Sequence, residues 1–446
     1  MAQSGTEDRP PGPRGLPLLG NTLQFGRHTF EFLQRCRREY GDVVYFEVLG
    51  RPFYQLNHPD HIHHVLVENN TNYTKGAFLT EQFGEFIGKG LLLNEGDHWR
   101  RQRRLVQPAF HPERIEIYAE MMADYAERLL ATWEPGQSRE VQADMTRLTL
   151  EVVASALLDV DIREESPELR RAFVDITEEV RKRTARPISL PRWMPTPRNR
   201  RYRRALDRLD EIVYDIIDRR RAEPGDGVVS MLIEAGRESN ESFDDKQLRD
   251  EVVTLLFAGH ETTATALSFT WYLLATHPTK EETLVAELEA VLGDERPTMA
   301  DVPRLGYTRN VLKESLRLYP PVFGLLREPV REDRIGGYRI PQGSTVAMNQ
   351  IAVHHDPRFF QDPKAFVPER WTESFEESLP EFAYFPFGGG PRRCIGERFA
   401  MLEATLIVAT IAREYHLELV SDRELTLKPS VTTRPAKPIT VRPEPR

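Results

Sequence analysis

Cys394 lies in the run Phe387-Gly388-Gly389-Gly390-Pro391-Arg392-Arg393-Cys394-Ile395-Gly396, and a thiolate held there is suited to bind something positive. The glycines predict a bulged, tight backbone whose amides approach a ligand closely and point toward the sulfur. Gly396 and the periodic stretch from Glu397 to Arg413 predict the helix that follows. The chain has only two cysteines, Cys36 and Cys394, so thiolates alone build no zinc cluster, no iron–sulfur set and no disulfide framework. A single thiolate ligand remains. Cys36 reads as a small buried hydrophobe. Burial alone does not account for Phe seven residues before Cys394, Gly four before, Arg two before and Gly two after.

A second group of reactive side chains is Ala258-Gly259-His260-Glu261-Thr262-Thr263, an acid and two hydroxyls inside an apolar stretch. The stretch from Leu248 to Ala275 has the pattern of a long helix that is apolar on several faces. Gly259 lowers helix propensity and Thr262 can offer its hydroxyl to the carbonyl of residue 258, which predicts a kinked or opened turn. A carboxylate beside a hydroxyl suits proton delivery. The competing reading is a buried helix that tolerates a polar patch. Two further pairs share helix faces: Glu314 with Arg317, in a stretch from Tyr307 to Tyr319 that Pro320-Pro321 ends, and Trp99 with Arg103. The Glu314–Arg317 pair by itself reads as an ordinary surface ion pair.

The pattern FxxGxRxCxG around Cys394 resembles the haem-binding loop of the cytochrome P450 family and matches at every fixed position. The resemblance implies haem b, iron protoporphyrin IX, with Cys394 as axial iron ligand and Phe387 at the cofactor. Ala258-Gly259-His260-Glu261-Thr262 is similar to the family's [AG]GxxT motif, which implies that Thr262 and Glu261 relay protons to bound dioxygen. Glu314 and Arg317 match ExxR, and the later Pro368-Glu369-Arg370-Trp371 implies a buried network behind the haem loop, with Trp371 replacing the more usual Phe. Trp99, Arg103, Arg327 and Arg392 are implied as propionate donors, with His98 and His354 beside them. For each histidine, surface exposure is the competing expectation.

The resemblance implies a soluble prokaryotic type without a fused reductase. The expected fold is mainly α with a smaller β-rich part, one domain over residues 1–446 with a flexible leader of about fifteen residues. Helical patterns run over Glu113 to Leu130, Ala143 to Leu158, Pro167 to Arg183 and Pro197 to Arg221. Strand-like alternation appears at 43–48, 53–57, 338–340 and 345–349. The basic, proline-bearing stretch from Arg186 to Arg204 is expected as the loop between helices that roof the substrate cavity. Phe78, Phe83, Phe86, Ile87, Leu91, Leu92 and Leu93, with Phe323, Leu325 and Leu326, are candidate cavity lining, and a core role competes for each.

A net charge of −9 argues against nucleic acid as partner. No apolar run reaches bilayer length and the start of the chain lacks an anchor pattern, so a cytoplasmic protein is expected. The resulting expectation is a monooxygenase that activates dioxygen to hydroxylate or epoxidise a lipophilic substrate. Fatty acids and terpenoids or carotenoids are the classes suggested by resemblance. No flavin, nicotinamide or iron–sulfur motif is present, so a separate ferredoxin or flavodoxin type donor is expected, attracted by Arg100, Arg101, Arg103 and Arg104. The alternatives are a peroxide-driven or isomerising haem-thiolate enzyme, and a haem-binding sensor without turnover.

Overall fold

The computed structural model describes residues 8–159, 167–184, 193–239 and 243–446. Among these, twelve helices exceed ten residues: α1 (Thr29–Tyr40), α2 (Gly76–Ile87), α3 (Gly96–Val106), α4 (Pro112–Leu130), α5 (Val141–Leu158), α6 (Pro167–Thr184), α7 (Pro197–Ala222), α8 (Val228–Ser239), α9 (Asp245–Thr276), α10 (Pro278–Leu292), α11 (Gly306–Leu318) and α12 (Glu397–Glu414). The periodic stretches thus became helices with ends shifted by a few residues. Of the expected loop from Arg186 to Arg204, residues 186–192 lie outside the described residues, and from Pro197 onward it is helix. Thr196 caps that helix by accepting from Asn199 N–H at 3.1 Å, with Pro197 at the first helical position.

The chain divides into two compact units. One comprises Met1–Phe78, Asn310–Cys394 and Leu425–Ala436. It contains a five-stranded sheet of β1 (Val43–Val48), β2 (Arg51–Leu56), β3 (Tyr73–Thr74), β4 (Leu325–Pro329) and β5 (Thr345–Met348), in the spatial order β1-β2-β5-β4-β3. β1 and β2 form an antiparallel hairpin with Val43 opposite Leu56, and β2 runs parallel to β5 with Phe53 opposite Thr345. β5 then receives β4 antiparallel, Met348 facing Leu325. One apolar cluster joins Tyr54, Leu56, Ile62, Val346, Met348 and Phe385. A second joins Phe32, Leu33, Cys36, Val44 and Phe46. Residues 8–13 of the expected leader are tied down, since Tyr45 N–H donates to Pro11 O at 2.9 Å and Arg339 N–H to Asp8 O at 2.9 Å.

The other unit comprises Leu79–Arg309, Ile395–Glu424 and Lys437–Arg446. Its centre is α9, which lies along α5, while α12 packs on α4. Gly259 explains how closely α9 and α5 approach: a Cβ there would lie 3.1 Å from a Val153 methyl. A small sheet pairs Thr440–Pro445 with Arg139–Glu140 on one side and Tyr415–Leu419 on the other. Pro443 and Pro445 argue against a central strand there, which is why this sheet was not expected.

Candidate active site

The Cys394 loop is positioned by its contacts within its own unit. Cys394 N–H donates to Phe387 O at 3.0 Å, Gly388 N–H to Phe385 O at 2.9 Å, and Arg393 N–H to Gly390 O at 3.1 Å. Gly388 and Gly390 have φ of 71° and 62°, the left-handed region that glycine enters without steric cost. Crowding supplies a second reason for the small residues. A Cβ on Gly389 would lie 2.2 Å from the Phe382 ring, and one on Gly390 would lie 1.9 Å from Leu66 O. The glycines therefore seat the loop against protein as well as shaping its turn. Cys394 is exposed and outside any disulfide, and Phe387 and Arg392 are half-buried. Cys36 is the opposite case: it is fully buried, and burial pushes its thiol up to about 12, which keeps it protonated and inert.

Behind the loop in sequence, Glu314 organises a buried network. Arg317 holds it in a two-pronged pair, Nε to Oε2 and Nη2 to Oε1, both at 2.8 Å, with both residues 0 % exposed. The remaining guanidinium hydrogens reach the carbonyls of His354 at 2.9 Å, Pro363 at 2.7 Å and Ala365 at 3.1 Å. Arg370 Nε donates to Glu314 Oε1 at 3.0 Å, as expected. Sequence reasoning missed what the tryptophan substitution adds: Trp371 Nε1 donates to Glu314 Oε2 at 2.9 Å, a bond no phenylalanine makes. His354 is fully buried, contrary to the surface expectation, and its Nε2 accepts from Phe385 N–H at 3.0 Å. Burial holds its imidazole neutral.

In the other unit, α9 carries Glu261 and Thr262. Thr262 Oγ1 donates to Ala258 O at 2.7 Å, as its spacing suggested, yet the helix runs unbroken from Asp245 to Thr276 rather than being interrupted. From Leu248 to Leu274 every residue of α9 is buried except Ala258, Gly259 and Thr262. These positions stand at i, i+1 and i+4, one patch of helix surface open within a buried rod. Glu261 and His260 are buried beside it, and His260 Nδ1 is hydrogen-bonded to Leu256 O at 2.8 Å. Sequence reasoning also missed Glu403, a fully buried acid on α12. Burial holds its carboxyl well above the usual carboxylate range, against a pull from the Thr263 hydroxyl. The available signal was an acid set among apolar residues in α12.

Trp99 and Arg103 of α3, one turn apart, border a common open hollow of about 350 Å³ together with Arg100, Arg104, Gln107, Pro108 and His111. His98 is exposed. Arg327 is buried in β4, with Nη1 donating to Leu326 O at 2.8 Å. Of the candidate lining, Phe86 and Ile87 are core: Phe86 meets Phe257 at 5.3 Å and Phe173 at 5.6 Å between ring centres. Among the described residues no group of three or more His, Cys, Asp or Glu is arranged to hold a metal ion. An exposed thiol on a braced loop is the donor that suits iron already carried in a macrocycle, which needs one protein ligand rather than several.

Comparison with known proteins agrees. The family model for cytochrome P450 matches residues 10–442. Cyclooctatin synthase of Streptomyces melanosporofaciens is 36% identical over 97% of this chain and 95% of its own length. Cyclooctat-9-en-7-ol 5-monooxygenase of the same organism is 37% identical, covering 92% of this chain and 89% of the relative. Pentalenene oxygenase of Streptomyces avermitilis is 30% identical over 96% and 94%. Among solved structures, the haem domain of cytochrome P450DA superposes with a TM-score of 0.90 at 28% identity, covering 98% of each chain. The chain belongs to the cytochrome P450 family, as a monooxygenase whose cofactor is haem b.

Proposed function

We propose that this monooxygenase inserts oxygen into a terpenoid, with electrons from a separate ferredoxin or flavodoxin type protein, in the cytoplasm, and that residues 1–446 act as one catalytic domain. The carrying observation is the open patch of Ala258, Gly259 and Thr262 on the otherwise buried α9. A helix buried at every other position from Leu248 to Leu274 has no packing reason to leave these three uncovered, and small side chains beside a hydroxyl suit a bulky apolar substrate next to a proton donor. The names of three relatives that match over nine-tenths of this chain or more favour terpenoid over fatty acid.

Haem, when bound, supplies the activation of dioxygen. In the proposed assignment Cys394 provides the thiolate ligand, with Phe387 beside the cofactor, and Trp99, Arg103, Arg327 and Arg392 donate to its propionates through indole and guanidinium N–H groups. The exposure of His98 favours solvent over a propionate. Glu261 and Thr262 hold and move protons. The Thr262 hydroxyl, now donating to Ala258 O, turns to donate toward the substrate side, and Glu261 restores its proton. Glu261 is buried, so its recharging from water requires a side-chain swing. The presence of both groups favours oxygen-driven over peroxide-driven turnover and over a sensor. Arg100 and Arg104 are exposed on α3 and suit an acidic electron donor. No described helix is long and apolar enough to cross a membrane.

The test is a binding-spectrum screen of the haem-loaded protein with terpenoid hydrocarbons and alcohols against fatty acids, followed by product analysis with a surrogate reductase. Soret shifts and oxygenated products with terpenoids are expected. Shifts and products with fatty acids alone overturn the substrate assignment.

A further inference from the structure

The proposed chemistry does not use the first turns of α9, yet four side chains there hold the backbone of another segment. Arg249, Asp250, Glu251 and Thr254 are each buried, at most 5% exposed, and all four grip the backbone of one segment, Phe86 to Leu91, which runs off the end of α2. Arg249 Nη1 donates to Phe86 O at 2.8 Å and Thr254 Oγ1 to Ile87 O at 3.3 Å. In the other direction, Lys89 N–H donates to Asp250 Oδ2 at 2.8 Å and Leu91 N–H to Glu251 Oε2 at 3.0 Å. Gln102 of α3 holds Lys89 O at 2.9 Å. From Gly88 onward the segment is irregular, so these side chains meet backbone groups that a helix or sheet would otherwise satisfy. Gly88 and Gly90 permit the approach: a Cβ would lie 2.1 Å from the Asp250 carboxyl at the first and 2.0 Å from Thr254 Oγ1 at the second.

Glu251 is the unbalanced member of this grip. Its Oε1 is buried without a hydrogen-bond partner. The nearby cations are committed elsewhere, Lys246 Nζ to Asp250 at 3.0 Å and Arg249 to Asp250 at 3.0 Å and Asp210 at 2.7 Å. The charged groups that share this grip are therefore Asp250, Arg249 and Lys246 on α9, Asp210 on α7 as a partner of Arg249, and Lys89 on the strap, whose backbone N–H meets Asp250. Burial pushes its carboxyl up to about 8, with the Leu91 N–H pulling it down and the Asp250 charge adding to the rise.

We propose that Phe86–Leu91 is a proton-gated strap, docked on α9 while Glu251 holds its proton and released when the carboxyl gives it up. The segment carries Phe86, Ile87 and Leu91, which are buried when it is docked, so release uncovers an apolar path for a lipophilic substrate. That last step rests on the substrate class proposed above; the gating itself does not. Release returns Glu251 to water and to its ordinary value of 4.5. Between about 4.5 and about 8 the docked state retains a proton that the released state has lost. The opening constant therefore rises about tenfold per pH unit across that window and levels off above it.

The experiment is hydrogen–deuterium exchange of the haem-loaded full chain from pH 6 to 8.5, read in peptides covering 86–94 and corrected for intrinsic exchange. The native protein is expected to show about a tenfold rise in opening per pH unit up to about pH 8, and Glu251→Gln a flat response. Thr254→Ala, which loosens the strap without removing the titrating group, should open more at every pH with the native slope. A flat native response, or an equal slope in Glu251→Gln, overturns the gating. Stopped-flow binding of a terpenoid alcohol, followed by its Soret shift, tests the path: an on-rate that ignores pH while exchange follows Glu251 overturns substrate entry and leaves the strap standing.

Discussion

Replacing Glu314 by Gln probes the buried network in a way the geometry makes quantitative. The carboxylate accepts five hydrogen bonds, three at Oε1 from Arg317 Nη2, Val367 N–H and Arg370 Nε, and two at Oε2 from Arg317 Nε and Trp371 Nε1. A glutamine places its oxygen where three donors converge and its NH₂ against the other two. Two buried donors then lose their acceptor and two arginines lose their counter-charge, a loss of about 3–5 kcal/mol by analogy with broken buried pairs. Trp371→Phe removes a single neutral donor from a charged acceptor that keeps four others, for about 1.5–3 kcal/mol. The double variant should cost less than the sum of the two, because the indole that Glu314→Gln alone would strand is no longer there. Urea unfolding of the haem-loaded protein, followed by circular dichroism and the Soret band, measures all three. A loss of 3 kcal/mol is about a hundredfold in the unfolded-to-folded ratio. Strict additivity, or a Trp371→Phe effect below about 0.5 kcal/mol, would refute the claim that the indole belongs to the network.

Other outcomes follow from the same structure. Cys394→Ala should abolish the thiolate-type band of the ferrous carbon monoxide complex while Cys36→Ala leaves it intact; an unchanged spectrum in Cys394→Ala sinks the ligand assignment. Thr262→Ala should keep haem and accept electrons yet release more peroxide per product, and full coupling would transfer the relay to another group. Arg100→Glu with Arg104→Glu should slow reduction by an acidic donor at low salt, an effect that fades as ionic strength shortens the screening length toward about 10 Å at 0.1 M; a rate indifferent to both rules out docking there. Gly390→Ala drives a methyl into Leu66 O and forces φ of 62° on a residue with a Cβ, so haem retention under mild denaturant should fall, whereas native-like retention would mean the loop has room to shift.

Short-range chemistry was legible in the sequence. The Cys394 turn, the Glu314–Arg317 pair and the Thr262 bond to Ala258 O each depend on residues a few positions apart, so their types and spacing carry the message. Helix bodies were legible for the same reason. What remained hidden depends on distant partners. The indole of Trp371 meets Glu314 across 57 positions, His354 is buried by Phe385, and the acids of α9 hold a segment about 160 residues earlier. Nothing local in Asp250 or Glu251 distinguishes a buried grip on a loop from a solvated helix end. The strand Thr440–Pro445 was obscured by its own prolines.

The uncovered turn of α9 has an evolutionary consequence. Most positions on a buried helix resist change, since an added methylene must displace a packed neighbour. Ala258 is exempt: a larger side chain there extends into open volume, whereas one at Gly259 would press on Val153. On the proposed reading of this patch as the substrate side, selection for a new substrate can act on one codon, narrowing the space beside Thr262, while the stability of the scaffold stays where it was.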